Sequence, residues 1–210
     1  PLSACLLPLP VWRSLPNNSK THSMTTLNET MGLLPADHDR TGLWVFAYGS
    51  LMWRPDFDHD EVRDGLMRGY HRGLCLYSHQ YRGTPDVPGL VFGLDRGGSC
   101  RGRALHVTPD QVTSVTTYLY EREMINRVYL PRMATVATPE GDIKALAFIA
   151  DRDHHQYAGA LEDGEAVRLI RQGVGHGGAC IDYLENTAQH LRDLNIYDSQ
   201  LERLLALAIK

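Results

Sequence analysis

The chain of 210 residues is short of three things: paired cysteines, long apolar runs and an excess of charge of one sign. Its cysteines, Cys5, Cys75, Cys100 and Cys180, are widely spaced. No Cys-x-x-Cys pair and no histidines at zinc-finger spacing accompany them, so neither a disulfide framework nor a zinc site is expected. They read as reduced, buried, small hydrophobes. No apolar stretch reaches the roughly 18 residues of a membrane span. The 21 basic and 25 acidic residues are interspersed and sum to −4. That excludes the basic stripe by which a protein neutralises a phosphate backbone, and no nucleic-acid partner is expected.

Two glycine- and histidine-containing stretches invite functional readings that their context does not support. Gly173-Val174-Gly175-His176-Gly177-Gly178 lacks the Gly-Lys-Ser/Thr ending of a phosphate loop and follows no predicted strand, so it reads as the break between two helices. His154-His155, set in Asp151-Arg152-Asp153, reads as a solvated turn rather than a metal cluster, because neighbours on a loop rarely face one ion together. Ser50 has no Gly-x-Ser-x-Gly context, which leaves a Ser-His-Asp triad without support. No metal site is expected.

With 43% hydrophobic residues, a chain of this length can bury one core, and one domain plus a tail is expected. Residues 1–41 read as a flexible N-terminal segment and residues 42–210 as the domain. The first residue is Pro1, and Met24 follows the polar stretch Asn17 to Ser23, so Met24 reads as a native start and residues 1–23 as extraneous. Cys5 to Val11 is short, proline-broken and without a basic leader, a poor signal peptide. The segment through Pro35 to Arg40 is polar and aperiodic.

From Leu43 onward, β-type runs alternate with turn signals: Leu43 to Tyr48, Leu66 to Ser78, Leu90 to Leu94 and Ala104 to Val107. Arg96-Gly97-Gly98-Ser99 reads as a hairpin turn between the last two. A second hairpin is predicted where Pro139-Glu140-Gly141-Asp142 joins Met133 to Thr138 with Ile143 to Ile149. Helical patterns occupy Asp110 to Glu123, Glu165 to Gln172, Ala179 to Leu194 and Leu201 to Ile209. Ser199-x-x-Glu202 has capping-box spacing for the last. Ile181, Leu184, Ala188, Leu191 and Leu194 form a core-facing stripe on the third. The pattern predicts an α+β fold, a curved, mostly antiparallel sheet or small barrel with helices around it.

Two places carry chemistry. In Leu43-Trp44-Val45-Phe46-Ala47-Tyr48-Gly49-Ser50-Leu51-Met52-Trp53, a buried strand runs into a turn whose glycine permits positive φ and close approach of a ligand oxygen to backbone N–H groups. Such turns are also ordinary structure. On the helix ending at Glu123, Val112, Val115 and Leu119 define an apolar face, and at about 100° per residue Glu123 lies within roughly 20° of Val112 on that stripe. Desolvation and the negative end of the helix dipole would raise its pKa toward the range where an acid/base works best. A buried salt bridge to Arg72 or Arg82 would explain the same placement. Glu121 points elsewhere and is expected to be solvated.

The wording Trp44-Val45-Phe46-Ala47-Tyr48-Gly49-Ser50-Leu51-Met52-Trp53 resembles the opening motif of the ChaC family of γ-glutamylcyclotransferases, which cleave glutathione. Tyr120-Glu121-Arg122-Glu123-Met124 with Tyr129-Leu130-Pro131 resembles the family's Arg-Glu motif at a family-like distance. Gly69-Tyr70-His71-Arg72, Arg82-Gly83-Thr84-Pro85, Pro88-Gly89 and the stretch from Gly178 through Tyr183-Leu184 also match, so the resemblance spans Leu43 to the C-terminus. Ala47 stands where many relatives have glycine, and Met124 to Val128 replaces the Lys-Gly-Gly of animal-type members, as in the bacterial branch.

The resemblance implies the γ-glutamylcyclotransferase fold and an intramolecular reaction. The α-amine of a γ-glutamyl group attacks its own γ-carbonyl, closing 5-oxoproline and, with glutathione, releasing Cys-Gly. It implies Glu123 as the acid/base, and binding of γ-glutamyl oxygens by the segment Val45, Phe46, Ala47, Tyr48, Gly49, Ser50 and Leu51. Arg72, Arg82 and Tyr183 are further candidates for gripping substrate. No cofactor is chemically necessary, the partner is the small-molecule substrate, and a cytoplasmic location is expected. Other γ-glutamyl peptides or amines would suit the same chemistry. A non-catalytic γ-glutamyl-binding regulator linked to cation transport would not need a carboxylate on an apolar helix face.

Overall fold

The run Leu43–Ala47 is apolar at every position because both of its faces are covered. A computed structural model describes residues 30–210, and the reading of residues 1–23 lies outside the described residues. This run forms β1 (Leu43–Ala47), followed by the long strands β2 (Glu61–Ser78) and β3 (Gly89–Val107) and the hairpin β4 (Tyr129–Thr138) and β5 (Gly141–Ala150). The strands close a barrel in the order β1-β3-β2-β4-β5. β1 runs antiparallel to β3, with Val45 opposite Leu105, and parallel to β5, with Trp44 opposite Ala145.

Alternate residues of β1 feed two cores. Phe46 joins Met67, Leu94, Ala145 and Ala147 in the larger one, which is completed by Leu169 and Ile170 of α3 (Asp163–Gln172), Leu184, Ala188 and Leu191 of α4 (Cys180–Asp193), and Leu204 of α5 (Ser199–Ala208). Leu43, Val45 and Ala47 join Leu105, Leu146 and Phe148 in the second core, covered by Val112, Val115 and Leu119 of α2 (Val112–Glu123). The single turn α1 (His38–Thr41) precedes β1. Residues 30–41 were expected to be part of a flexible lead-in, yet Thr30 is buried and Leu34 packs in the second core, so packed structure begins before Leu43.

One predicted turn is absent. Arg96-Gly97-Gly98-Ser99 lies within the continuous strand β3, so Leu90 to Leu94 and Ala104 to Val107 belong to one strand. Its pairing with β2 shifts register there: Arg68 faces Ser99 and Tyr70 faces Arg96, so Gly97 and Gly98 oppose the single Gly69. This is a bulge, with all three glycines at positive φ (84°, 97° and 68° for Gly69, Gly97 and Gly98). The same residues that signal a hairpin bend two long strands around the barrel. The second predicted hairpin is present, with Thr138 opposite Gly141.

The helices fall within one or two residues of their predicted bounds, but the last is capped differently. Asp198, not Ser199, is the N-cap, its Oδ1 accepting from Leu201 N–H at 3.1 Å. Glu202 instead pairs with Arg192, whose Nε lies 2.7 Å from Oε1. The break between α3 and α4 carries a minimal hairpin, β6 (Val174–Gly175) with β7 (Gly178–Ala179). Cys75, Cys100 and Cys180 are buried free thiols, and His154-His155 sits in a turn with His155 exposed.

Candidate active site

Glu123 is the last residue of α2, and its side chain is 18% exposed while Glu121 is open to water. The apolar stripe of that helix carries it to the barrel, as its spacing predicted. Its partner is neither of the arginines expected: Arg122 Nε lies 3.2 Å from Glu123 Oε1. Burial raises the carboxyl pKa, and the charge and hydrogen bond of Arg122 oppose that shift without cancelling it.

Four tyrosines feel the Glu123 charge. Burial above all, then neighbouring charges that include Glu123, pushes the Tyr48, Tyr129 and Tyr183 hydroxyls upward, and Tyr81 shifts the same way. All four therefore stay protonated at neutral pH and can donate. Tyr48 Oη donates to Phe148 O at 3.0 Å and Tyr129 Oη to Phe92 O at 2.8 Å. Tyr183 Oη accepts from Phe92 N–H at 3.5 Å, and its ring lies 5.0 Å from the Arg82 guanidinium.

The turn after β1 approaches the carboxylate through Arg122. That side chain donates to Ser50 Oγ (3.0 Å), Arg54 O (2.9 Å) and Tyr118 Oη (2.7 Å) while contacting Glu123. One guanidinium thus fixes the distance between the carboxylate and the turn. Residues Ser50–Met52 form a 3₁₀ turn. Among the described residues no carbonyl accepts from the N–H of Ser50 or Leu51.

Gly49 does not adopt positive φ: its φ is −133° and ψ −137°. A Cβ there would meet nothing within 4 Å, so glycine at this position leaves open space rather than relieving backbone strain. The side chains of Val45, Phe46, Ala47 and Leu51 are buried in the two cores. Of these four expected binding residues, only the backbone remains for a ligand to meet.

Arg72 has a different place from the one expected. Its side chain is 3% exposed, and it donates to Tyr48 O (2.5 Å), Arg101 O (2.6 Å) and Asp198 Oδ2 (2.9 Å). With three acceptors engaged and little of its side chain exposed, it braces the turn from the core side. Asp198 takes Arg72 with one oxygen and caps α5 with the other. Arg82 donates to the carbonyls of Gly177 and Ala179, joining the loop before β3 to the β6–β7 hairpin. Gly83, Gly89, Gly173 and Gly175 let these segments interlock, since a Cβ at any of them would overlap a neighbouring backbone. His176 N–H donating to Gln80 O (2.8 Å) and Gly177 N–H donating to Tyr81 O (2.9 Å) complete the seat of Tyr81 and Arg82.

Sequence reasoning named Tyr48, Gly49, Ser50, Tyr183 and Glu123, which converge, but passed over Arg122, Tyr129 and Tyr81. Arg122 was visible as the i+4 neighbour of Tyr118 beside Glu123. The approach of Tyr81 had no local signal, because the glycine interlock creates it.

A family model described as ChaC-like protein matches residues 43–210. The chain belongs to this family of γ-glutamylcyclotransferases, as its fold and motifs anticipated. It is 33% identical over 168 residues to the glutathione-specific gamma-glutamylcyclotransferase of Escherichia coli K12, covering 80% of this chain and 73% of that protein. It is also 33% identical over 161 residues to glutathione-specific gamma-glutamylcyclotransferase 1 of Homo sapiens, covering 74% and 72%. A crystal structure of a yeast gamma-glutamyl cyclotransferase specific to glutathione superposes with a TM-score of 0.72 at 20% identity, covering 79% of this chain and 95% of that one. That likeness concerns the fold: α+β, with a closed five-stranded barrel and helices around it.

Proposed function

We propose that this protein is a glutathione-specific γ-glutamylcyclotransferase with Glu123 as its acid/base. The observation that carries the reading is the placement of a carboxyl with raised pKa beside a turn with unused backbone donors, the two tied together by Arg122. The matched relatives named for this activity support the choice of substrate.

In the reaction, Glu123 takes a proton from the substrate's α-ammonium, and the freed amine attacks the γ-carbonyl carbon. The new C–N bond closes the five-membered ring. Collapse of the tetrahedral intermediate breaks the original amide C–N bond as Glu123 returns its proton to the departing nitrogen, which leaves poorly as an anion. The second proton, which the ring nitrogen sheds to become the lactam N–H, passes to the released amine, which departs as an ammonium. The Ser50 and Leu51 N–H groups face the developing oxyanion, a contribution of about 3–4 kcal/mol per donor in comparable sites. Tyr48, Tyr129 and Tyr183 keep the surroundings of the carboxylate uncharged. Holding amine and carbonyl together supplies the proximity advantage of an intramolecular reaction. The chemistry consumes no oxidant and transfers no group beyond the ring closure. Buried, unpaired thiols at Cys75, Cys100 and Cys180 fit a reducing compartment, and we place the protein in the cytoplasm.

Glu123→Gln tests the reading. It keeps size and removes proton exchange, so 5-oxoproline formation followed by mass spectrometry should fall by at least the ~10²–10⁴-fold typical of a lost general acid/base, with the thermal midpoint retained. A folded variant turning over glutathione at near the wild-type rate would remove Glu123 from the mechanism.

A further inference from the structure

The barrel is nearly open along one seam. β2 meets β4 only through Leu66 opposite Ala137 and Met67 opposite Val136, after which the bulge at Gly69 carries β2 away. From Tyr129 to Thr135, β4 pairs on one side alone, which is how it accommodates Pro131 within a strand. The gap is a cavity of about 430 Å³, lined by Arg68 and Tyr70 of β2, Arg132 and Met133 of β4, and Asp142 and Lys144 of β5. A cavity of this size falls within the range that takes small molecules.

Its charge is out of keeping with the molecule. The whole chain carries −4, yet this cavity gathers two guanidiniums and an ammonium against one carboxylate. Nine other arginines of the described residues are held in ion pairs: Arg54, Arg63, Arg72, Arg103, Arg122, Arg152, Arg168, Arg192 and Arg203. Arg68 and Arg132, by contrast, have no carboxylate within ion-pair distance among the described residues, and Asp142 in the same cavity pairs with neither. Lys144 Nζ donates to Thr135 Oγ1 at 2.7 Å, which leaves two of its three protons free. Planar guanidinium forks suit the paired oxygens of phosphate or carboxylate. Tyr70 and Met133 add an apolar wall.

We propose that this seam is a second binding site, distinct from the Glu123 centre, for a small multivalent anion carrying phosphate or carboxylate groups. None of its three cations touches Glu123 or the turn after β1. A ligand there would bridge β2 to β4 and β5 and close the seam that the strands leave open.

The test uses the full chain, with inorganic triphosphate and citrate as probes for the two anion chemistries, titrated calorimetrically at low ionic strength. Arg68→Gln and Arg132→Gln should each weaken the better probe by roughly tenfold, the effect of losing one charge-assisted fork, and the double variant should abolish saturable binding. Arg40→Gln, at an exposed arginine in α1, should bind as wild type. Thermal melts of all variants should coincide, since Arg68 and Arg132 are exposed. Preference for triphosphate identifies a phosphate ligand, and preference for citrate a polycarboxylate. The proposal is overturned if neither probe saturates, or if the double variant binds unchanged. Competition by glutathione in Glu123→Gln protein, which cannot turn it over, would also overturn it by making the seam part of the substrate's own site. None of these outcomes depends on cyclotransferase turnover.

Discussion

Two arginines clasp the same turn from opposite sides, and their surroundings make them do different work. Arg72 lies behind the turn, nearly sealed from water, and spends its donors on Tyr48 O, Arg101 O and the α5 cap Asp198. Arg122 lies in front, 17% exposed, holding Ser50 and Arg54 with one edge while its Nε meets Glu123. The first satisfies polar groups that burial has stripped of water. The second sets the position and proton affinity of a carboxylate that must exchange protons. The same side chain therefore gives stability in one place and tuning in the other, according to whether its partner is fixed structure or a titrating group.

Removing the rear clamp should have the largest effect. Arg72→Ala leaves Asp198 and two carbonyls without their donor, and a stability loss of about 3–5 kcal/mol is expected, measured by denaturant unfolding. Turnover should fall with it, because the Tyr48 carbonyl anchors the turn. An Arg72→Ala protein as stable as wild type would erase the distinction between the two clamps.

Gly49→Val acts on the turn between them. The side chain would enter the open space beside Gly49, so folded protein, checked by circular dichroism, should lose most of its glutathione turnover while its melting temperature changes little. Normal turnover would show that substrate does not approach the turn there.

Arg122→Gln should act mainly on pH dependence. The arginine opposes the burial that raises the Glu123 pKa, so removing its charge raises that pKa further. As a base Glu123 must begin ionised, so the acidic limb of the kcat/KM profile should move to higher pH. The melting temperature should change less than for Arg72→Ala. An unmoved limb would reduce Arg122 to a structural role like that of Arg72.

The smallest effect is expected far from both clamps. Leu34→Ala removes a residue at the margin of the second core, and a loss near the low end of the range for buried leucine, ~2 kcal/mol, should appear in thermal melts. The pH profile should not move, since Leu34 touches no group of the site.

Much of this was legible in the residues. Glu123 was placed on the barrel side of α2 by the spacing of Val112, Val115 and Leu119, and the helix bounds followed from periodicity. The two-sided burial of β1 was written in its unbroken apolar run. The Arg96 to Ser99 segment misled because glycines at positive φ serve a bulge as well as a hairpin turn, and the choice depends on which strand lies opposite. The glycine at 49 misled for a related reason: the residue type allows positive φ but does not require it.

The sequence by itself determined the elements, the two-faced first strand and the carboxylate on an apolar helix face, because these depend on contacts between near neighbours and on side-chain periodicity. Tertiary structure alone decided which arginine meets Glu123, that Arg72 braces the turn, and that the Glu123 charge reaches the buried hydroxyls of Tyr48, Tyr129 and Tyr183. Those outcomes depend on pairings between residues far apart in the chain, such as Arg72 with Asp198, and on the register of a closed barrel. Local propensity carries no information about either.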